Sequence, residues 1–282
     1  GCGGSSQSRT AEVRIAVSNT ENQADILARY EPLRIHVERK LGRKTSLRSA
    51  TDYAGVIEAL RSRQVDVIYV GGASYARAWL ITNGGVKPLL CTMDEEGNLN
   101  YHSIVVVRSD SPYQTVADLK GRTIVFADPN STSGYIAPTF FLGEQGFPHR
   151  TFFSRSGFGG SHEMAVISVY NKTYDAAATW LYSATRTNIT RMEGKGIIPK
   201  GSIREIWRSP GLPSSPWVVR TDSPETFNRA FQQAVLSFAK DDPVGFAQLS
   251  ANRESGYAEI SHEAYEPVIR MVRQNLAARK EQ

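Results

Sequence analysis

The stretch "TVADLKGRTIVFADPNSTSGYIAPTFFLGEQG", residues 115–146, places three kinds of sequence side by side. A polar lead-in gives way to an apolar run at 122–127 that reads as a buried strand. Small hydrogen-bonding residues follow, and then an apolar run suited to a helix. Strand, turn and helix in that order are the repeating unit of an α/β fold. The residues on either side show whether the unit is repeated.

It is repeated in both directions. Upstream, "EVRIAVSN" reads as a strand and "ADILARYEPLRIHVERKLG" as a helix closed by Gly42. The run "TSLRSATDY" gives a short strand and "AGVIEALRSRQ" a helix with Val56, Ile57 and Leu60 on one face. The runs "VDVIYVGG", "ASYARAWLITNG", "VKPLLCTM" and "HSIVVVRSD" continue the alternation. Downstream, "EMAVISVYNKTYDAAATW" repeats helix then strand, "IREIWRSPGLPSSPWVVR" is a Pro-punctuated extended return, and the segment from Ser223 onward is helical. The expectation is a clamshell of two α/β lobes joined by two extended crossings. Residues 1–11 are a tether, 12–105 plus 212–282 form lobe 1, and 106–211 form lobe 2.

Composition narrows the function classes. The chain has 282 residues, 33 Lys plus Arg against 28 Asp plus Glu, and a net charge of +5. The charge is spread along the chain, without the basic stripe of a nucleic-acid binder. No apolar run approaches the roughly 20 residues of a membrane span. Of the two cysteines, Cys2 sits in "GCGGSSQSRT", a small, polar start that reads as a lipidated cysteine followed by a flexible tether. A tag remnant is the plainer reading. The lipid would be the chain's one link to a membrane, and the compartment periplasmic or the outer face of the cytoplasmic membrane. Cys91 lies too far from Cys2 in sequence for the two to suggest a disulfide framework.

Ligands of open α/β sheets sit beyond the C-terminal ends of the strands, so the residues there are the candidates. In "DPNSTSGY", residues 128–135, Asn130 or Ser131 is the expected N-cap. The N–H groups and partial positive charge of a helix start suit an oxyanion. Ser131, Thr132 and Ser133 add three hydroxyls, more than capping needs, and Gly134 allows close approach. Hydrogen bonds to a charged acceptor contribute about 1.5–3 kcal/mol each, so four or five could hold a ligand at roughly micromolar affinity. In "GGSHEMAV", Ser161 can cap and His162 can donate to an oxyanion, although a lone histidine there is more often a capping residue. Tyr53 and Tyr75 stand near helix starts, as donors or as packing.

No enzyme signature emerges. "GGSHE" is not a nucleophile elbow, no histidine pair has metal-binding spacing, and Gly71-Gly72 lacks the lysine of a phosphate-binding loop. Nothing calls for a cofactor. A phosphoester hydrolase with Ser131 or Ser133 as nucleophile is the alternative from another class.

The segments "TDYAGVIEAL", "GGASYA", "YHSIVVVRSDS", "DLKGRTIVFADPNSTSGYIAP" and "GGSHEMAV…YDAAA" together resemble the phosphonate/phosphite-binding, PhnD-type family of bacterial solute-binding proteins, from about Glu12 to Arg220. The resemblance implies a type II periplasmic binding fold that closes on a small oxyanion for an ABC permease. It also implies that Ser131, Thr132, Ser133, His162, Tyr53 and Tyr75 line the pocket, with Asp175 of "YDAAA" a further carry-over. Where aminophosphonate binders of the family carry acids, this chain reads "TWLYSATR" and "PGLPSSPW". A ligand bearing an ammonium would lack its partner there.

Cys91 leaves two readings open. It is a buried small hydrophobe, or it is a soft ligand for arsenite, as in the family's sensor branch that partners a membrane histidine kinase. In the second case Cys91 is the arsenic ligand.

Overall fold

Alternating apolar strands and amphipathic helices bury their apolar faces only by stacking in layers, and the chain does this twice. A computed structural model describes residues 11–18, 23–50, 52–250 and 255–280. Cys2 and Thr51 lie outside the described residues, as does the tether but for its last residue. In chain order the strands are β1 Val13–Val17, β2 Thr45–Ser49, β3 Val67–Tyr69, β4 Val86–Met93, β5 Asn100–Arg108 and β6 Thr123–Phe126. There follow β7 Arg155–Phe158, β8 Ala176–Ser183, β9 Arg186–Thr187, β10 Ile203–Arg208, β11 Leu212–Pro213, β12 Pro216–Arg220 and β13 Gly256–Glu259.

Two compact units result. Unit 1 comprises Gly1–Gly71, Ala78–Leu99 and Ser214–Ala264; unit 2 comprises Gly72–Arg77, Asn100–Pro213 and Tyr265–Gln282. The sheet of unit 1 runs β13-β4-β12-β3-β1-β2. β1 lies parallel between β2 and β3, whereas β12 is antiparallel to β3 and β4. Val13, Ile15, Leu90 and Trp217 of this sheet pack with Leu33 and Val37 of helix Gln23–Leu41 and with Phe231 and Phe238 of helix Glu225–Asp241. Burying each such side chain contributes about 1.5–3 kcal/mol. Pro32 sits inside helix Gln23–Leu41 and has no N–H for the carbonyl of Ala28. The Gln248 side-chain amide donates to that carbonyl at 2.9 Å, so the helix continues through the proline.

The sheet of unit 2 runs β10-β5-β8-β6-β7, with β11 beside β5 and β9 beside β8. β6 is parallel to β7 and β8, and β5 is antiparallel to β8 and β10. Ala165, Val166 and Val169 of helix His162–Tyr170 cover Val106, Val125 and Ala177 of the sheet.

The units differ from the expected division at residues 72–77, 100–105 and 212–213, which fall in unit 2, and most of all at the chain's end. The reading from sequence placed 212–282 in lobe 1, whereas residues 265–282 cluster with unit 2. Helix Glu266–Lys280 has an apolar stripe of Val268, Ile269, Met271 and Val272, all buried. Near its end, Arg279 donates to the carbonyl of Pro129 at 3.3 Å, and its guanidinium lies over the Tyr135 ring. Periodicity reveals such a stripe, but not which surface covers it.

Candidate functional site

The hydroxyl-rich turn leaves the end of β6. Ser131 is its N-cap, with extended backbone, and its Oγ accepts from the N–H of Gly134 at 3.0 Å. Residues Thr132–Ile136 form one π-helical turn, in which the N–H of Ile136 donates to the carbonyl of Ser131 at 3.0 Å. Such wide turns recur at functional sites. Pro138, in the first turn of helix Ala137–Glu144, has no N–H to offer the carbonyl of Gly134 four residues earlier. That carbonyl instead accepts from Ala127 N at 3.1 Å, which ties the turn back to the strand end. A Cβ on Gly134 would lie 2.5 Å from Ala127 Cβ and 2.8 Å from Ser131 Oγ, so the approach requires glycine.

A second set of polar groups holds the turn from below. Ser103 of β5 donates to the carbonyl of Ser133 at 2.6 Å. The N–H of Ala73 donates to Thr132 Oγ1 at 2.6 Å, and Ser74 Oγ donates to the carbonyl of Asn130 at 3.3 Å. The Tyr101 phenol, also on β5, shares hydrogen bonds with the Thr132 and Ser133 hydroxyls, and burial pushes its pKa up to about 12. It is therefore a neutral hydroxyl at any physiological pH. His162, the first residue of helix His162–Tyr170, lies with Nε2 3.1 Å from Ser131 Oγ and Nδ1 3.0 Å from Thr179 Oγ1. Ser161 caps that helix by accepting from Met164 N at 3.1 Å.

Ser131, Thr132, Ser133 and His162 are all buried, and they converge with Gly134 within unit 2. A first helical turn has no carbonyl of its own to serve its leading N–H groups. The result is a cluster of neutral donors around a helix start, suited to an oxyanion. Among the described residues no group of three His, Cys, Asp or Glu side chains could hold a metal ion.

The other expected site residues are placed elsewhere. Tyr53 opens helix Tyr53–Arg61 in unit 1, behind its N-cap Asp52. Tyr75 is the fourth residue of helix Gly72–Ile81 and is fully buried, its ring 5.0 Å from that of Tyr265 in edge contact. Tyr75 is thus among the buried residues of unit 2. Asp175 is engaged at a strand start. Its carboxylate accepts from Thr123 N and Oγ1, both at 3.0 Å, and from the Tyr113 hydroxyl at 3.3 Å. Thr123 begins β6 and the hydroxyl turn follows its end, so Asp175 pins the opposite end of the strand.

Cys91 lies within β4, flanked by β12 and β13, in unit 1. Burial pushes its thiol up to about 12, so at neutral pH it is a protonated, apolar side chain and not a thiolate.

Tyr101, Ser103 and Thr179 are the supporting residues that the sequence reading missed. The signal was there: "YHSIVVV" alternates Tyr101 and Ser103 onto one face of a strand, and Thr179 interrupts the buried run "AAATWL".

Comparison with known proteins identifies the family and the fold. The family described as the periplasmic substrate-binding protein of phosphonate ABC transporters matches residues 15–265, and the chain belongs to it. The phosphonates-binding periplasmic protein of Escherichia coli K12 is 28% identical over 232 residues, covering 81% of this chain and 66% of that protein. The phosphate-import protein PhnD of Mycolicibacterium smegmatis is 28% identical over 280 residues, covering 92% and 81% respectively. The structure of PhnD1 from Prochlorococcus marinus in complex with methylphosphonate superposes with a TM-score of 0.77 at 18% identity, covering 93% of this chain and 97% of that one. The fold is thus the two-lobed α/β fold of periplasmic binding proteins.

Proposed function

We propose that this protein captures a small phosphorus oxyanion, phosphite or a short phosphonate without an ammonium group, and delivers it to an ABC permease in the periplasm. The observation that carries the reading is the buried turn Ser131–Gly134, where hydroxyls, helix N–H groups and His162 converge. Charge-assisted hydrogen bonds of about 1.5–3 kcal/mol each make such a nest sufficient for tight binding. The family supports the class of ligand and the transporter partner. Its relatives are named for phosphonates and for phosphate, so the particular anion is this chain's own property. On this reading Cys2 carries the lipid that keeps the protein at the membrane.

The hydrolase alternative is disfavoured by what stands behind the histidine. A serine nucleophile needs a base oriented by a carboxylate, whereas His162 Nδ1 meets the Thr179 hydroxyl. A chromogenic phosphoester tests this directly, because turnover would overturn a pure binding role.

Thermal unfolding of the reduced protein with phosphite, methylphosphonate, phosphate, arsenate and arsenite tests the ligand class. A ligand specific for the folded state adds about 2.7 kcal/mol of stability at a hundredfold excess over its Kd. A rise in Tm with a phosphorus oxyanion, lost in Ser131→Ala, is the expected result. A rise with arsenite alone, lost in Cys91→Ser, would overturn the proposal in favour of sensing through a histidine kinase.

A further inference from the structure

We infer that Thr179 is a positioning residue that fixes the tautomer of His162 and thereby makes the Ser131 hydroxyl an obligate donor to the bound anion. The inference deepens the oxyanion reading above and rests on it only for its consequence at the ligand.

A neutral imidazole has one N–H and one bare nitrogen. The His162 Nδ1 lies 3.0 Å from Thr179 Oγ1, and its Nε2 lies 3.1 Å from Ser131 Oγ. Thr179 is fully buried in β8, and among the described residues its hydroxyl meets one partner, that Nδ1. If Nδ1 carried the hydrogen, Thr179 could only accept, and its own hydroxyl hydrogen would be buried with no acceptor. Leaving a buried donor unpaired costs about 1–3 kcal/mol. With Nδ1 bare, Thr179 donates to it, and the ring hydrogen resides on Nε2.

Ser131 then follows. Its Oγ accepts from His162 Nε2 and from the N–H of Gly134 at 3.0 Å, which fills both lone pairs. Its hydroxyl hydrogen is the one valence left, and it has no acceptor among the described residues. An oxygen placed beside Ser131 must therefore accept. A P–O⁻ oxygen accepts that hydrogen more strongly than a P–OH oxygen does, so the chain Thr179–His162–Ser131 favours a deprotonated oxygen there. In the opposite tautomer Ser131 would donate to the ring and turn only its one remaining lone pair toward the anion. Thr179 touches no ligand in this scheme, because its effect passes through the ring.

Long-range ¹H–¹⁵N NMR of the labelled, ligand-free protein reads the tautomer directly, with His162→Gln to assign the signal. The wild type and Thr179→Ser are expected to show a protonated Nε2 and a bare Nδ1. Thr179→Val, close in shape but without the hydroxyl, loses that preference. In calorimetry, Thr179→Val is expected to bind methylphosphonate about tenfold more weakly, with Thr179→Ser close to wild type. A protonated Nδ1 in the wild type overturns the inference, as does Thr179→Val with unchanged tautomer and affinity. If the wild type binds neither methylphosphonate, phosphite nor phosphate, the oxyanion reading fails. The NMR result still decides the role of Thr179.

Discussion

Ser103 and Ser133, thirty residues apart in the chain, meet through a 2.6 Å hydrogen bond from the Ser103 hydroxyl to the Ser133 carbonyl. An interior strand of the sheet thereby grips the main chain of the turn. Ser103→Ala would leave a buried carbonyl without its donor. The expected cost is about 1–3 kcal/mol of stability, with a loss of anion affinity. Denaturant unfolding and calorimetry on the same variant measure both, and wild-type values in both would remove Ser103 from the scaffold.

Gly134→Ala tests the close approach. The added Cβ would fall 2.5 Å from Ala127 Cβ and 3.0 Å from His162 Cε1, so strand end, turn or imidazole must shift. Overpacking of this kind costs about 1–3 kcal/mol. Anion binding is expected to fall further than stability, because the displaced groups include the histidine that serves Ser131. A variant that binds methylphosphonate like the wild type would show that the turn relaxes freely.

His149 gives the fold a pH dependence of its own. Its ring makes edge contacts with Phe126 and Tyr135 at 5.7 and 5.8 Å. Burial, with a smaller contribution from the Arg150 charge, lowers its pKa from 6.5 to about 4. Between these values the unfolded chain binds a proton and the folded chain does not, so stability falls as pH drops from 6.5 toward 4. The loss is at most about 3 kcal/mol, and less because the ring is partly exposed to solvent. His149→Phe keeps an aromatic ring and cannot take the proton, so its unfolding midpoint should fall less than that of the wild type between neutral and acid pH. Parallel pH profiles for the two proteins would assign the dependence to other groups.

Cys91 should be silent in the folded protein. With its thiol pushed up to about 12 by burial, it is expected to resist iodoacetamide at neutral pH in a Cys2→Ser background and to react on unfolding. Rapid alkylation of the native protein would show an accessible thiolate and return arsenite to consideration.

Much of this was legible in the residues. The alternation of strand and helix runs identified the α/β class, and "DPNSTSGY" marked Ser131 to Gly134 as a hydroxyl-rich turn at a helix start, because caps and hydroxyls act locally. Pro32 and Pro138 were legible as residues without an N–H, but not as residues whose partner carbonyls would find Gln248 and Ala127. Asp175 shows the same limit. Its neighbours in sequence do not announce Thr123, fifty-two residues away, as the group its carboxylate meets.

Local chemistry, which acts over a few residues, is therefore what the sequence by itself determined: the strands, the caps, the hydroxyl turn and the histidine at the start of its helix. Tertiary structure decided which distant groups complete that chemistry. Ser103, Tyr101 and Thr179 reach the turn because the pairing of β5 with β8 and the packing of helix His162–Tyr170 bring them there. Helix Glu266–Lys280 joins unit 2 because that unit covers its apolar stripe. The physical reason is the same in each case. A buried polar group or an apolar face must find a partner, but its own sequence does not say which one.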